Sequence, residues 1–226
     1  MKVMIYGCDG NMGQRYQAIL KSKKIPYVGL DRNDPWTIEE QECTHIILAT
    51  PTPSHIPLLE RVAHSANRKL KFLVEKPIGI IRDVSELDVL KEIENKGHKI
   101  YMVNNYAYVN PAVINTNGDN VSIYSYYNSG KDGLKWDCIQ LIYLAEGKVL
   151  LYDTNPIWRC VINGVAVNRS EIDKTYVDMI MDFYSDNTYY GRLWGRKDII
   201  AAHNKVLNYE KRLNSSSGKK HLHAVT

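Results

Sequence analysis

The chain has 226 residues, 44% of them hydrophobic, and 29 Lys and Arg against 25 Asp and Glu, for a formal net charge of +4. Such a chain can bury a sizeable core in one large domain or two small ones. Its basic residues are scattered apart from short runs such as KSKK at 21–24, so no basic stripe argues for nucleic acid. No apolar stretch approaches the roughly 20 residues of a membrane span, and MKVMIYG is interrupted too early for a secretory signal. The expectation is a soluble, cytoplasmic protein without membrane or nucleic-acid partners. Cys8, Cys43, Cys138 and Cys160 lie far apart with no CxxC pair, which suggests reduced thiols and neither a metal site nor a disulfide framework.

Through the first half, short apolar runs alternate with amphipathic stretches, the pattern of parallel strands joined by crossover helices. KVMIYG, IPYVGLD, THIILAT, LKFLVEKP and HKIYMVNNY are the predicted strands. MGQRYQAILKS, IPLLERVAHSANRK and DVSELDVLKEIENKG are the predicted helices, the last closed by Gly97. The class is therefore α/β, a doubly wound parallel sheet. Only DRNDPWTIEEQEC separates the second strand from the third, so the sheet is expected to be trimmed there.

After Pro111, NTNGDN breaks the pattern, and VSIYSYYN reads as a half-buried strand. WDCIQLIYLAE then reads as a helix, and VLLYDT and IWRCVI as strands. Asn163-Gly164 before VAVN signals a hairpin turn. SEIDKTYVDMIMDFYSD opens with a capping-box spacing, Ser170 to Asp173, and both it and RKDIIAAHNKVLNYEKRL carry apolar residues at helical intervals. The expected division is 1–108 for the parallel sheet, 109–214 for a smaller α+β domain, and 215–226 for a disordered tail.

The chemistry concentrates at the ends of the predicted strands. Gly7, Gly10 and Gly13 lie between the first strand and the first helix, with Asn11 and Met12 among them. Glycine permits positive φ and close backbone approach to a pyrophosphate, while the helix N-terminus offers unpaired N–H groups and a favourable dipole. The spacing is G-x-x-G-x-x-G, a variant of the usual dinucleotide fingerprint. Asp31 ends the second strand, about 20 residues on, where a carboxylate can accept from both ribose hydroxyls of NAD. Arg32 follows and can pair with a 2′-phosphate, so the reading is NAD or NADP. ILATPTPSH runs a buried strand into Thr50, Pro51, Thr52 and His55 at the edge where ligands bind in such sheets. His55 is readable as either a structural or a functional histidine.

FLVEKPIG completes a set of motifs that resembles the glucose-fructose oxidoreductase, inositol dehydrogenase and MocA (Gfo/Idh/MocA) family of NAD(P)-dependent oxidoreductases, here as a shortened member. The resemblance implies a Rossmann domain, a homo-oligomer, and a sugar, polyol or sugar derivative as substrate. It implies that Glu75, Lys76 and Pro77 face the nicotinamide and substrate. A lysine steadied by a neighbouring carboxylate can stabilise developing alkoxide charge, which agrees with that placement. The resemblance thins in the second half. Family members carry a helix there with an aspartate and a histidine four residues apart, the pair that supplies the general base. Aligned on WDCIQLIYLA, the histidine position is Gln140 and the aspartate position Trp136. A glutamine amide binds a hydroxyl but cannot take its proton. Lys76 with a lowered pKa, Asp137 beside Trp136, or Tyr106, Tyr108 or Tyr126 are the substitutes on offer, each with an ordinary structural reading beside it. The leading expectation is a dehydrogenase or reductase acting on CH–OH groups. Its rival is an inactive dinucleotide-binding sensor or binding module; a methyltransferase leaves ATPTPSH and EKP unexplained.

Overall fold

A computed structural model describes residues 1–31, 34, 42–108, 122–129, 136–143, 149–153, 160–162, 165–167, 169–185, 193–204, 207 and 223–224. The chain divides into two compact units, Met1–Val103 with Ile180–Ile200, and Asn104–Met179 with Ala201–Thr226. Among the described residues no helix is long and apolar enough to cross a membrane.

In the first unit, strands β1 (Val3–Tyr6), β2 (Tyr27–Leu30), β3 (His45–Leu48), β4 (Lys71–Val74) and β5 (Lys99–Met102) form one parallel sheet in the order β2-β1-β3-β4-β5. Every residue of β1 and β3 is buried, as are Phe72, Leu73 and Val74 of β4. That explains continuous apolar runs instead of alternation: both faces of a parallel sheet are covered by its crossover helices. Helices α1 (Asn11–Ser22), α2 (His55–Ser65) and α3 (Asp88–Asn95) make those crossovers. Each buries one stripe, Gly13, Tyr16, Ile19 and Leu20 on α1 and Leu58, Leu59, Val62 and Ala63 on α2. A capping box, in which Asp83 accepts from Ser85 and Glu86 accepts from Asp83, starts the 3₁₀ turn Val84–Leu87 that leads into α3. Gly97 ends α3 with φ at +90°.

The chain returns to this unit near its end, which differs from the contiguous division expected from the sequence. Phe183 is buried, with its ring 5.2 Å from that of His45 on β3 and 6.4 Å from that of Tyr101 on β5. Trp194 bridges Met102, and Arg196 pairs with Glu94 at 2.7 Å. Burial of large side chains such as Phe183 is what draws residues 180–200 onto the first sheet.

In the second unit, β6 (Ser122–Ser129), β7 (Trp136–Tyr143) and β8 (Val149–Asp153) form an antiparallel sheet, and β9 (Cys160–Ile162) pairs antiparallel with β10 (Val165–Val167). Later in the chain come α4 (Arg169–Tyr184) and α5 at 196–204, which the division at 179/180 and 200/201 splits between the two units, and β11 (His223–Ala224) in the second. Three expectations are corrected here. WDCIQLIYLAE is not a helix: its first eight residues are β7, paired along its whole length from Ser129↔Trp136 to Ser122↔Tyr143 and with β8 on its other edge. Its apolar spacing fits either period, and two flanking strands that hydrogen-bond it decide the matter. Ser170 is not the cap of α4, which already begins at Arg169. Within the supposed tail, His223 and Ala224 pair antiparallel with Tyr127 and Tyr126 of β6. The Asn163-Gly164 turn lies outside the described residues.

Candidate dinucleotide site

The chain leaves β1 for β2 on one side and takes up β3 on the other, so the sheet reverses direction between β1 and β3. In open α/β sheets ligands bind outside the carboxyl ends of the strands at such a point. A cleft of about 780 Å³ opens there, lined by residues that include Gly7, Asp9, Gly10, Asp31, Thr50, Pro51 and Arg61.

Each glycine has its own reason to be there. Gly7 stands at φ +81°, and a Cβ on it would come within 2.7 Å of the Ala49 carbonyl oxygen. A Cβ on Gly13 would come within 2.1 Å of the Gly7 carbonyl oxygen, so this glycine lets α1 pack directly against the turn. A Cβ on Gly10 would meet nothing closer than 3.4 Å; that glycine caps α1 in extended geometry, on the lining of the cleft. Asn11 and Met12 open α1, whose N-terminus has no side-chain cap and no acidic residue in its first turn. Its N–H groups are therefore left for an anion.

Asp31 follows β2 and its Oδ2 accepts the Asp9 N–H at 3.1 Å, while its own N–H donates to Asp34 Oδ2 at 2.7 Å. The acidic side chains thus gather at the β2 edge of the cleft; Arg32 lies outside the described residues. Cys8, Asp9 and Asp31 bring ligand atoms within 4.8 Å of one another. The Cys8 thiol donates to Asp9, and burial and the acids around it push its pKa up to about 11, which disfavours the thiolate form.

Between β3 and α2, Thr50 and Pro51 face the cleft and Thr52 opens a 3₁₀ turn. Ser54 Oγ donates to Thr50 Oγ1 at 2.9 Å. His55, 1% exposed, lies away from the cleft lining: Nε2 is 2.7 Å from the Thr50 carbonyl oxygen and Nδ1 2.7 Å from the Pro77 carbonyl oxygen. A neutral imidazole can donate to only one of them. Burial holds the His55 pKa below its ordinary value, and the two carbonyl acceptors oppose that shift without overcoming it. The histidine therefore packs between the loop after β3 and the loop after β4, and it has no proton-transfer geometry toward the cleft.

Glu75, Lys76 and Pro77 follow β4, beyond the cleft lining, with a cis peptide between Lys76 and Pro77. The resemblance implies that Glu75 faces the nicotinamide and substrate; its carboxyl is buried against α1. It is 8% exposed, and its Oε1 accepts from the hydroxyl of Tyr16 on α1 while Oε2 accepts the backbone N–H of Lys76 at 3.0 Å. Burial raises its pKa; the Tyr16 hydrogen bond, the Lys76 charge and N–H, and the Arg15 charge pull the other way. Sequence reading missed Tyr16. The only signal was its spacing on the buried stripe of α1, which by itself reads as core.

Asp137 and Gln140 are on β7, in the second unit, opposite Asn128 and Ser125. The helical alignment that nominated Gln140 therefore loses its footing. Tyr108 is buried after β5, and the side chains of Tyr106 and Tyr126 lie outside the described set.

A parallel sheet with a glycine turn at its switch point, an uncapped helix N-terminus beside it and a carboxylate at the end of β2 defines a Rossmann-type dinucleotide-binding fold. More particularly, the fold is that of the Gfo/Idh/MocA oxidoreductases. A Gfo/Idh/MocA family oxidoreductase from Vibrio cholerae superposes with a TM-score of 0.62 at 13% identity, covering 97% of this chain and 100% of that one. A probable dehydrogenase from Thermotoga maritima gives 0.57 at 12% identity, covering 96% and 98%. The WlbA dehydrogenase from Thermus thermophilus, solved with NAD and α-ketoglutarate, gives 0.56 at 13% identity, covering 89% and 92%. The sequence matches no protein-family model and no curated protein.

Proposed function

We propose that this chain is an NAD(P)-dependent oxidoreductase acting on a hydroxyl or carbonyl carbon of a small sugar, polyol or sugar derivative. The observation that carries the reading is the convergence of the glycine turn, Asp31 and the Thr50–Pro51 loop on one cleft at the switch point. Gly7 and Gly10 with the N-terminus of α1 would hold the diphosphate, and Asp31 would accept from the adenosine ribose. Asp9 and Asp34 beside Asp31 favour NAD, since a 2′-phosphate would add negative charge to an already acidic edge. The nicotinamide, when bound, supplies or accepts the hydride. Lys76, at the end of β4, would donate to the reacting oxygen and stabilise alkoxide charge as it develops. The WlbA dehydrogenase of Thermus thermophilus has also been solved with NAD and UDP-GlcNAcA, which supports a sugar-type substrate.

One observation favours the rival reading of an inactive dinucleotide-binding module: residues 136–143 form the strand β7, so the helix expected to carry the Asp/His pair is not formed by this segment. The test is melting temperature with NAD, NADH, NADP, NADPH or S-adenosylmethionine, because a ligand that binds only the folded state raises it. A rise with the NAD pair, followed by turnover of polyols or sugars, supports the dehydrogenase; a rise without turnover supports the module. No rise with any nicotinamide nucleotide sinks both. In an active protein, Lys76→Met is expected to lower kcat by roughly 10²–10³-fold while leaving the nucleotide-induced rise in place; retained turnover would remove Lys76 from its role.

A further inference from the structure

Tyr16 lies fully buried on α1, six residues past the glycine that caps the helix, and so about 9 Å along it from the N-terminus. A phenylalanine would fill the same volume. What the hydroxyl adds is the hydrogen bond to Glu75, whose other oxygen receives the Lys76 N–H at 3.0 Å. A buried carboxyl is costly unless its oxygens are satisfied, and here both are, one from the helix and one from its own loop. The carboxylate is thereby held between α1 and the point where the Lys76 side chain departs from the backbone. The same rigid helix thus presents its N-terminus to the cleft and, from a residue two turns in, anchors the loop after β4.

We propose that Tyr16 is a positioning residue for Lys76, acting through Glu75. The chemical use of that lysine rests on the dehydrogenase reading; the mechanical link does not. Two near-isosteric changes cut the link at different points. Tyr16→Phe removes the donor to Oε1. Glu75→Met, of similar length, removes both acceptors, whereas a glutamine could turn its amide so that its oxygen accepts the Lys76 N–H and its N–H₂ donates to the Tyr16 oxygen.

The first readout is acylation of lysines by a small amine-directed reagent on the nucleotide-free protein, followed by peptide mass spectrometry. Each variant is expected to change the Lys76 labelling rate by at least about 3-fold, near the lower end of what one net hydrogen bond is worth, while exposed Lys23 and Lys91 keep their rates. The double variant is expected to match the single ones, because both cut one chain of contacts. In a protein that turns over, Tyr16→Phe lowers kcat roughly 10-fold with KM for the nucleotide within about twofold. An unchanged Lys76 rate in a folded variant, or additive effects in the double, overturns the proposal. If Tyr16→Phe fails to fold, Glu75→Met carries the same readout. Because labelling needs no nucleotide, a chain that binds none would defeat the functional reading and leave this link standing or falling on its own.

Discussion

The two larger sheets of this chain deal differently with the ends of their strands. In the parallel sheet β2-β1-β3-β4-β5 every strand points the same way, so the loops after β1, β3 and β4 all emerge at one edge. Residues scattered from Gly7 to Pro77 therefore meet there, and His55 and Tyr16 can tie one loop to another. In the antiparallel sheet β11-β6-β7-β8 successive strands reverse, so their loops are shared between two edges. Asp137 and Gln140 sit within a strand of that sheet, held in register by Asn128 and Ser125. Parallel topology concentrates chemistry; antiparallel topology disperses it.

The sharpest way to break the contrast is at the turn after β1. Gly13→Ala puts a methyl group against backbone atoms of Gly7 and Cys8 that cannot yield separately. It is expected to cost several kcal/mol, roughly 3 or more by the scale of overpacked sites, and to appear as loss of cooperative melting. Gly10→Ala, whose Cβ has room, should keep the fold and weaken only the nucleotide response. A Gly13→Ala variant that melts like the parent would show that the turn is not packed as described.

A smaller effect tests the tie between loops. The folded pKa of His55 is depressed below the ordinary 6.5, so its contribution to stability is present above that pH and is lost as pH falls through the folded value. From this group the parent should lose up to about 1.4 kcal/mol per pH unit below 6.5. His98 is depressed in the same direction, so the comparison must be with His55→Gln, which keeps a donor and does not titrate. Urea midpoints from neutral to mildly acid pH should fall less steeply in the variant; parallel slopes would mean that His55 is not the titrating group.

The smallest change sharpens the description of β7. Gln140→Thr introduces a β-branched residue, which suits a strand and disfavours a helix, each by less than about 1 kcal/mol. Unchanged or slightly raised stability accords with a strand between β6 and β8. A loss would revive the helical reading.

These experiments also mark how far the sequence could be read. The predicted strands KVMIYG, THIILAT and LKFLVEKP each contain the observed one, because a strand buried on both faces leaves a continuous apolar run bounded by Gly, Pro or a charge. The glycine turn and Asp31 were legible because their chemistry is local: φ, Cβ clearance and strand end. WDCIQLIY was misread because its apolar residues satisfy two periods over eight positions, and only its neighbours choose between them. The return of residues 180–200 to the first sheet, and the turning of Glu75 inward to Tyr16, left no trace in local pattern at all.

By itself, then, the sequence determined the elements whose stability comes from their own burial and turn chemistry: the parallel strands, their helices and the glycine turn. The tertiary structure alone decided which residues meet across long separations, such as Tyr16 with Glu75, His55 with Pro77 and Phe183 with His45. The physical reason is that a hydrogen bond or ring contact between distant residues depends on where two separate elements pack, and packing is a property of the whole core that no window of sequence contains.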